Sequence, residues 1–176
     1  MLNQRKVVLF IAMSLDGYIA AEEDSLEWLF QVEGEGDNGY SEFYETIDTI
    51  ILGRRTYDWI IDKEGDNFPY KDAKCYVYSN TYKGKNEFVE FVNEGPVSFV
   101  RRIKEGEGKN IWIVGGGNLL QDFIKQDLVD EFIITIAPVL VGSGIPLFHK
   151  IDMQKELQLL SIKRYNQFAE LHYVRK

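Results

Sequence analysis

Ile111-Trp-Ile-Val-Gly-Gly-Gly-Asn-Leu-Leu-Gln-Asp-Phe-Ile124 decides how the rest of the chain is read. Ile111 to Val114 is a short apolar run rich in β-branched residues, the signature of a strand covered on both faces. Gly115, Gly116 and Gly117 follow; without Cβ atoms they permit a sharp turn and let another molecule approach the backbone. Leu119, Leu120, Phe123, Ile124 and Leu128 then recur at helical spacing, with Gln121, Asp122, Lys125 and Gln126 on the opposite face. The order is strand, glycine turn, helix start. Unpaired N–H groups and the positive end of the backbone dipole at such a start suit an anion such as a pyrophosphate. The plainer reading, a tight strand-to-helix junction without a ligand, stays open, because the spacing is not G-x-G-x-x-G.

Working outward, the same grammar recurs. Thr49-Ile-Ile-Leu52 reads as a strand, Gly53-Arg-Arg-Thr-Tyr57 as the junction, and Thr56 to Ile61 as a helix, here with two cations at its start. Lys6 to Met13 reads as a buried strand ending in the turn signal Asp16-Gly17. Glu22 to Gln31 predicts a short helix, residues 33–39 an acidic glycine-rich loop, and Tyr40 to Ile47 a helix with Tyr40, Phe43, Tyr44 and Ile47 on one face. Ala73 to Tyr78 and Phe88 to Phe91 are strands, and Gly95-Pro96 opens a helix with proline in its first turn. Phe132 to Ala137 is another strand. Residues 138–148 form a loop with two glycines and two prolines. Leu157 to Lys163 and Phe168 to Val174 close the chain as an antiparallel hairpin. Strands alternating with helices predict a mostly parallel α/β sheet with an antiparallel edge.

Composition narrows the partners. The chain has 176 residues, a formal net charge of −8 and 45% apolar residues. That acidity, with basic residues hardly clustered, disfavours nucleic acid and anionic membranes. The single cysteine, Cys75, precludes an internal disulfide and sits in a mostly apolar run that suits a buried thiol. One cysteine and two distant histidines, His149 and His172, form no metal-ligand pattern. No signal peptide and no run of membrane-spanning length are visible. The expectation is a soluble cytoplasmic protein.

Four stretches, in order along nearly the whole chain, resemble the dihydrofolate reductase-like superfamily. They are Ser14-Leu-Asp-Gly-Tyr-Ile-Ala20, Leu52-Gly-Arg-Arg-Thr-Tyr57, Ile113-Val-Gly-Gly-Gly117 with Leu120, and Asp130-Glu-Phe with Pro138 to Phe148. The resemblance is closer to the branch named for the reductase domain of the bifunctional riboflavin-biosynthesis deaminase–reductase; the zinc-binding deaminase half has no counterpart here. It implies one domain over residues 1–176, a three-layer αβα fold whose mostly parallel sheet ends in an antiparallel C-terminal hairpin. It implies NADPH as hydride donor, a homodimer, and an activity similar to 5-amino-6-(5-phosphoribosylamino)uracil reductase. A dihydrofolate- or pterin-type reductase and a catalytically weak nucleotide-binding dimer are the alternatives, and a flavin-binding protein could use the same glycine turns.

Carried onto these residues, the resemblance implies that Gly53, Arg54, Arg55 and Thr56 begin a helix that holds cofactor phosphate. Ser79 and Asn80 would face the adenosine 2′-phosphate, Gly115, Gly116, Gly117, Asn118 and Leu119 the pyrophosphate, and Ser14 to Gly17 the nicotinamide. The loop Val141 to Leu147, with Gly144, would border the substrate and contribute a dimer contact. The chain departs from its relatives at Asn80, where many carry Arg. Independently of the resemblance, arginines at a helix start give bidentate charge-assisted bonds suited to a 2′-phosphate. Asp16 is the candidate proton-handling carboxylate, against a turn-forming role in which it bonds its own backbone. Glu42, Glu45 and Asp37 are weaker carboxylate candidates, better read as solvated charges. Tyr40, Phe43 and Tyr57 could wall a planar heterocycle, although aromatics on a helix face usually belong to a core.

Overall fold

The computed structural model describes residues 5–150 and 152–176. Nine strands form one sheet in the order β10-β11-β8-β1-β7-β3-β4-β6-β5. Its parallel centre comprises β1 (Val7–Ser14), β3 (Ile47–Gly53), β4 (Lys74–Tyr78), β6 (Val89–Val92), β7 (Asn110–Gly115) and β8 (Glu131–Ala137). The central strands read as apolar runs because both faces are covered: Ile50, Ile51, Leu52, Ile111 and Ile113 have no exposed surface. The predicted hairpin is β10 (Leu157–Tyr165) and β11 (Phe168–Arg175), and it joins the sheet antiparallel to β8.

Two cores lie on opposite faces of the sheet. On one, α4 (Pro96–Lys104) and α5 (Gly117–Lys125) contribute Phe99, Val100, Ile103, Leu120, Phe123 and Ile124. On the other, α2 (Tyr40–Tyr44) and α3 (Arg54–Glu64) contribute Phe43, Tyr57 and Ile60. Each fully buried side chain of this size contributes about 1.5–3 kcal/mol of transfer free energy, which fixes helix to sheet. The result is the mixed α/β fold expected, with a mostly parallel sheet between two helical layers and no closed barrel.

Differences from the sequence expectation have local causes. The helix expected from Thr56 starts at Arg54 and runs to Glu64, because Gly53 already serves as its N-cap. The helix expected to reach Leu128 stops at Lys125, where Asp127 takes a left-handed conformation (φ 59°) and Leu128 N–H bonds back to Phe123 O at 2.9 Å. Glu22 to Gln31 breaks into a 3-10 turn at Glu22–Asp24 and α1 (Glu27–Phe30), since Glu23 and Asp24 are both left-handed. Residues 138–148 are not all loop: β9 (Ile145–Pro146) pairs with β2 (Tyr18–Ala20) as a small antiparallel ribbon. A two-residue strand, β5 (Gly84–Lys85), borders β6.

Asp130 explains one of the recurring stretches. Its Oδ2 accepts Val7 N–H at 2.8 Å and Lys104 Nζ at 2.5 Å, which staples β1 and α4 at the amino edge of the sheet. That edge is opposite the one where the cleft opens, so Asp130 belongs to the scaffold.

Candidate active site

The two glycine junctions meet. β3 and β7 are parallel neighbours, so the helices that follow them start side by side at the carboxyl edge. A Cβ placed on Gly53 would lie 3.0 Å from Gly116 N and 3.2 Å from Gly115 O; one on Gly116 would lie 3.3 Å from Thr56 Oγ1. Only glycine at 53 and 116 lets the junctions come this close. The Gly115–Gly116 peptide is cis. Both helices are capped by glycine, with no side-chain cap on their first amides. Their N–H groups and positive dipole ends therefore face the cleft free to take an anion.

The cleft has a volume of ≈ 1050 Å³. That is about the upper end of the roughly 300–1,000 Å³ usual for a small-molecule site. Gly53, Arg54, Arg55, Thr56, Ser79, Asn80, Gly116, Gly117, Asn118, Leu119 and Gly144 all line it. Gly115 is buried beneath the wall, with its carbonyl against Gly53.

The cations are held in defined poses. Arg54 Nε bonds both carboxylate oxygens of Asp58 at 2.7 Å, Nη1 reaches Thr81 Oγ1 at 3.3 Å, and the guanidinium lies 3.5 Å from the centre of the Tyr82 ring. Arg54 thus brings a positive charge to the turn after β4, beside Asn80. Ser79 Oγ accepts the N–H groups of Thr81 (3.2 Å) and Tyr82 (2.9 Å), which shapes that turn. Arg55 pairs with Asp24 through Nε and Nη2 at 2.7–3.2 Å and keeps 75% of its side chain exposed.

Several expected site residues sit elsewhere. Asp16 does not line the cleft. Its Oδ1 accepts Ser14 Oγ–H at 2.6 Å and Val141 N–H at 3.0 Å, and its Oδ2 accepts Gly142 N–H at 2.8 Å. Three donors occupy the carboxylate, and the Ser14 hydroxyl first, then the two amides, hold its pKa below the ordinary 3.8. It is an ionised clamp between the β1 turn and the 138–148 loop. Gly17 belongs to the same stitch: its carbonyl accepts Leu147 N–H at 2.8 Å. A depressed carboxylate pKa supports the folded clamp above the unfolded value, and that support disappears as pH falls through the lower folded value. Asp16→Ala should therefore raise the hydrogen-exchange rates of the Val141 and Gly142 amides about tenfold at neutral pH. Rates equal to wild type would mean that the clamp is dispensable.

Tyr40, Phe43 and Tyr57 face the second core rather than the cleft. Phe43 stacks on Phe10 at 4.1 Å between ring centres and meets Trp112 edge-on; Tyr40 packs on Tyr44 and Trp112. Tyr57 is buried, and its hydroxyl accepts Asn86 Nδ2 at 2.9 Å. Glu42 is exposed and pairs with Lys163 at 3.3 Å, while Asp37 caps α2 through Ser41 N–H at 2.8 Å. Neither carboxylate reaches the cleft.

The walls contain residues that the sequence left unassigned. Ile11, Asp24, Leu26, Leu29, Trp59, Ile60, Tyr70, Tyr78, Thr81, Asp122 and His149 also line the cleft; Ile11 packs with the α4/α5 core, and Ile60 and Tyr70 with the α2/α3 core on the other face of the sheet. Trp59 was the findable one, because it stands one helical turn after Arg55 and shares its face. His149 Nε2 is buried without a hydrogen-bond partner, and a Cβ on Gly117 would lie 3.1 Å from it. Among the described residues no group of three His, Cys, Asp or Glu is placed to hold a metal ion, and no helix is long and apolar enough to cross a membrane.

Two glycine-capped helix starts, side by side at the carboxyl edge of a parallel sheet, define an open α/β protein with a cleft at that edge. The family model for the RibD C-terminal domain matches residues 5–169, and the chain belongs to that family. YwjB of Bacillus subtilis (strain 168) is 51% identical over 173 residues, covering 98% of this chain and 99% of that protein. A solved putative riboflavin biosynthesis protein from Shewanella sp. PV-4 superposes with a TM-score of 0.87 at 31% identity, over 97% of this chain and 99% of that one. The diaminohydroxyphosphoribosylaminopyrimidine deaminase/5-amino-6-(5-phosphoribosylamino)uracil reductase of Thermotoga maritima shares the fold. Its TM-score is 0.71 at 13% identity, over 98% of this chain and 57% of that one.

Proposed function

We propose that the chain is an NADPH-dependent reductase of the riboflavin-biosynthesis type that transfers hydride to a small substrate carrying a planar nitrogen heterocycle. The observation that carries this reading is the meeting of two glycine-capped helix starts in one cleft, with Arg54 beside them. The fit to the cofactor is chemical. The α5 start at Gly117, Asn118 and Leu119 offers amides to a pyrophosphate, and the α3 start at Arg54 to Thr56 offers amides and a guanidinium to a further phosphate.

NADPH, when bound, supplies the hydride. The residues contribute position and a dry setting. Ile11 and Ala12 on β1 and Val114 on β7 form the cleft floor at the sheet's edge. The ribbon of β2 and β9 supplies Ile19, Ala20, Ile145 and Pro146, which shield that end from water. Hydride transfer needs donor and acceptor carbons held near ~3–3.5 Å, so such walls contribute more than an acid–base side chain. The acceptor carbon takes the hydride, and its adjacent nitrogen takes a proton from solvent. Asp16 is no proton source, because it is ionised and bonded to three donors.

Titration with NADPH, NADH, FMN and FAD, followed by thermal unfolding, tests the reading. NADPH at 100 times its dissociation constant should add about 2.7 kcal/mol to stability and raise the midpoint by several degrees, with a smaller rise for NADH. A shift with flavin alone would replace the dinucleotide reading.

We further propose a homodimer formed through the sheet's edge. Among the described residues β10 has no neighbour on its outer side, and Leu159, Leu160 and Ile162 are 46%, 51% and 65% exposed. An apolar unpaired edge invites pairing with another copy. Sedimentation at micromolar concentration should give twice the 20.4 kDa of one chain, and a monomer mass would remove the dimer.

A further inference from the structure

The seam between α5 and the segment that follows β9 carries a polar group that the fold leaves unused. Among the described residues, the buried side-chain atoms without a hydrogen-bond partner are Trp28 Nε1, the Tyr44 and Tyr78 hydroxyls and His149 Nε2. Of these residues, Tyr78 and His149 line the cleft. Tyr78 meets Phe99 and Phe123 edge-on, inside the α4/α5 core. His149 lies on the first turn of α5: a Cβ on Gly117 would be 3.1 Å from Nε2, 3.3 Å from Ile145 Cγ2 and 3.5 Å from Pro146 O. One residue further on, Lys150 O accepts Gln121 Nε2 at 3.5 Å, which ties the same segment to α5.

A leucine would fill this seam as well as an imidazole and leave no polar atom unpaired. A buried nitrogen without a partner destabilises the empty protein, and it is satisfied only when something else brings an oxygen. The ring lies on the turn whose amides are open to an anion. No bond holds Nε2 in place among the described residues, and χ2 of a histidine is roughly two-fold, so the ring can turn that nitrogen toward an arriving oxygen. An imidazole with its proton on Nε2 donates one hydrogen bond, and a bond to an anionic oxygen is stronger than one to a neutral acceptor. Asp122, the charged side chain that α5 brings to the cleft, only accepts. Beyond the helix amides and Asn118, the donor at this start is therefore His149.

We propose that His149 is a cofactor-binding residue whose Nε2–H donates to the pyrophosphate held at the α5 start. This rests on the reductase reading for the identity of the dinucleotide, but the unpaired nitrogen on the first turn of α5 stands without it. The donor comes from the segment after the β2/β9 ribbon, so the stretch of chain that covers the cleft also grips the anion inside it. His149 acts on NADPH and NADH alike, because both carry the pyrophosphate, and in this it differs from Arg54.

Ring-nitrogen NMR of isotope-labelled protein tests it, because the chain has two histidines and the other, His172, is bonded to Glu131 at 3.0 Å. Saturation with ADP should move the His149 signals and leave those of His172 in place; adenosine, which lacks the phosphates, should move neither. In His149→Leu the dissociation constants of ADP, NADPH and NADH should each rise about tenfold, with that of adenosine unchanged. His149→Gln, which keeps a donor, should recover part of the loss. Unmoved His149 signals in wild-type protein saturated with ADP overturn the proposal, whether or not the variants fold. An equal loss for adenosine in His149→Leu also overturns it, since the ring would then be packing alone. Protein that binds NADPH with no change at His149 keeps the reductase reading and loses this one; protein that binds ADP through His149 but does not bind NADPH does the reverse.

Discussion

Arg54→Ala should raise the dissociation constant for NADPH about 10- to 100-fold while changing that for NADH only a few-fold. The two cofactors differ by one phosphate, so the ratio of the two effects isolates what the guanidinium does. Its pose makes the expectation specific. Asp58 fixes Nε, Tyr82 lies against the face, and Nη1 points to Thr81, one residue past Asn80. A cation so fixed loses little further freedom when an anion arrives. Arg54→Lys should recover only part of the affinity, because an ammonium neither stacks flat on Tyr82 nor bonds bidentately. Fluorescence titration of both cofactors checks this; equal losses for NADPH and NADH would place the 2′-phosphate elsewhere.

A larger effect is expected from Gly53→Val. Its Cβ would start 3.0 Å from Gly116 N and 3.2 Å from Gly115 O, and those are backbone atoms that cannot swing aside. The branched methyls would push the two helix starts apart. Overpacking of this kind costs about 1–3 kcal/mol of stability, which a fold of this size survives. Affinity should suffer more: both amide-lined starts must reach one dinucleotide at once, so NADPH and NADH should each weaken by at least about 100-fold, near 2.7 kcal/mol. Denaturant unfolding and cofactor titration on the same sample separate the two losses. Near-normal affinity in a folded variant would mean that the two starts do not act together.

The sheet was legible because β-branched runs alternate with glycine junctions and helical periodicity, and β3 to α3 and β7 to α5 follow that grammar closely. The meeting of the two glycine junctions was legible for the same reason, since junctions after adjacent parallel strands must open on one edge. Aromatic spacing identified the buried face of α2 but not what it is buried against. Tyr40 and Phe43 meet Phe10 and Trp112 there, and a core wall and a ligand wall read alike in sequence. Asp16 misled for another reason: its amide partners are 125 and 126 residues away, beyond any local pattern. Leu26 and Leu29 stayed unassigned because the left-handed Glu23 and Asp24 interrupt the periodicity before them.

The stitch between the first turn and the 138–148 loop bears on how the molecule is born. The cover of the cleft is sewn from pieces at opposite ends of the chain: Leu15 to Val139, Gly17 to Leu147, Asp16 to Val141 and Gly142. During synthesis the first two glycine junctions can assemble long before that cover exists, since such distant pairings form late. A nascent chain halted before residue 138 therefore has a floor and no roof.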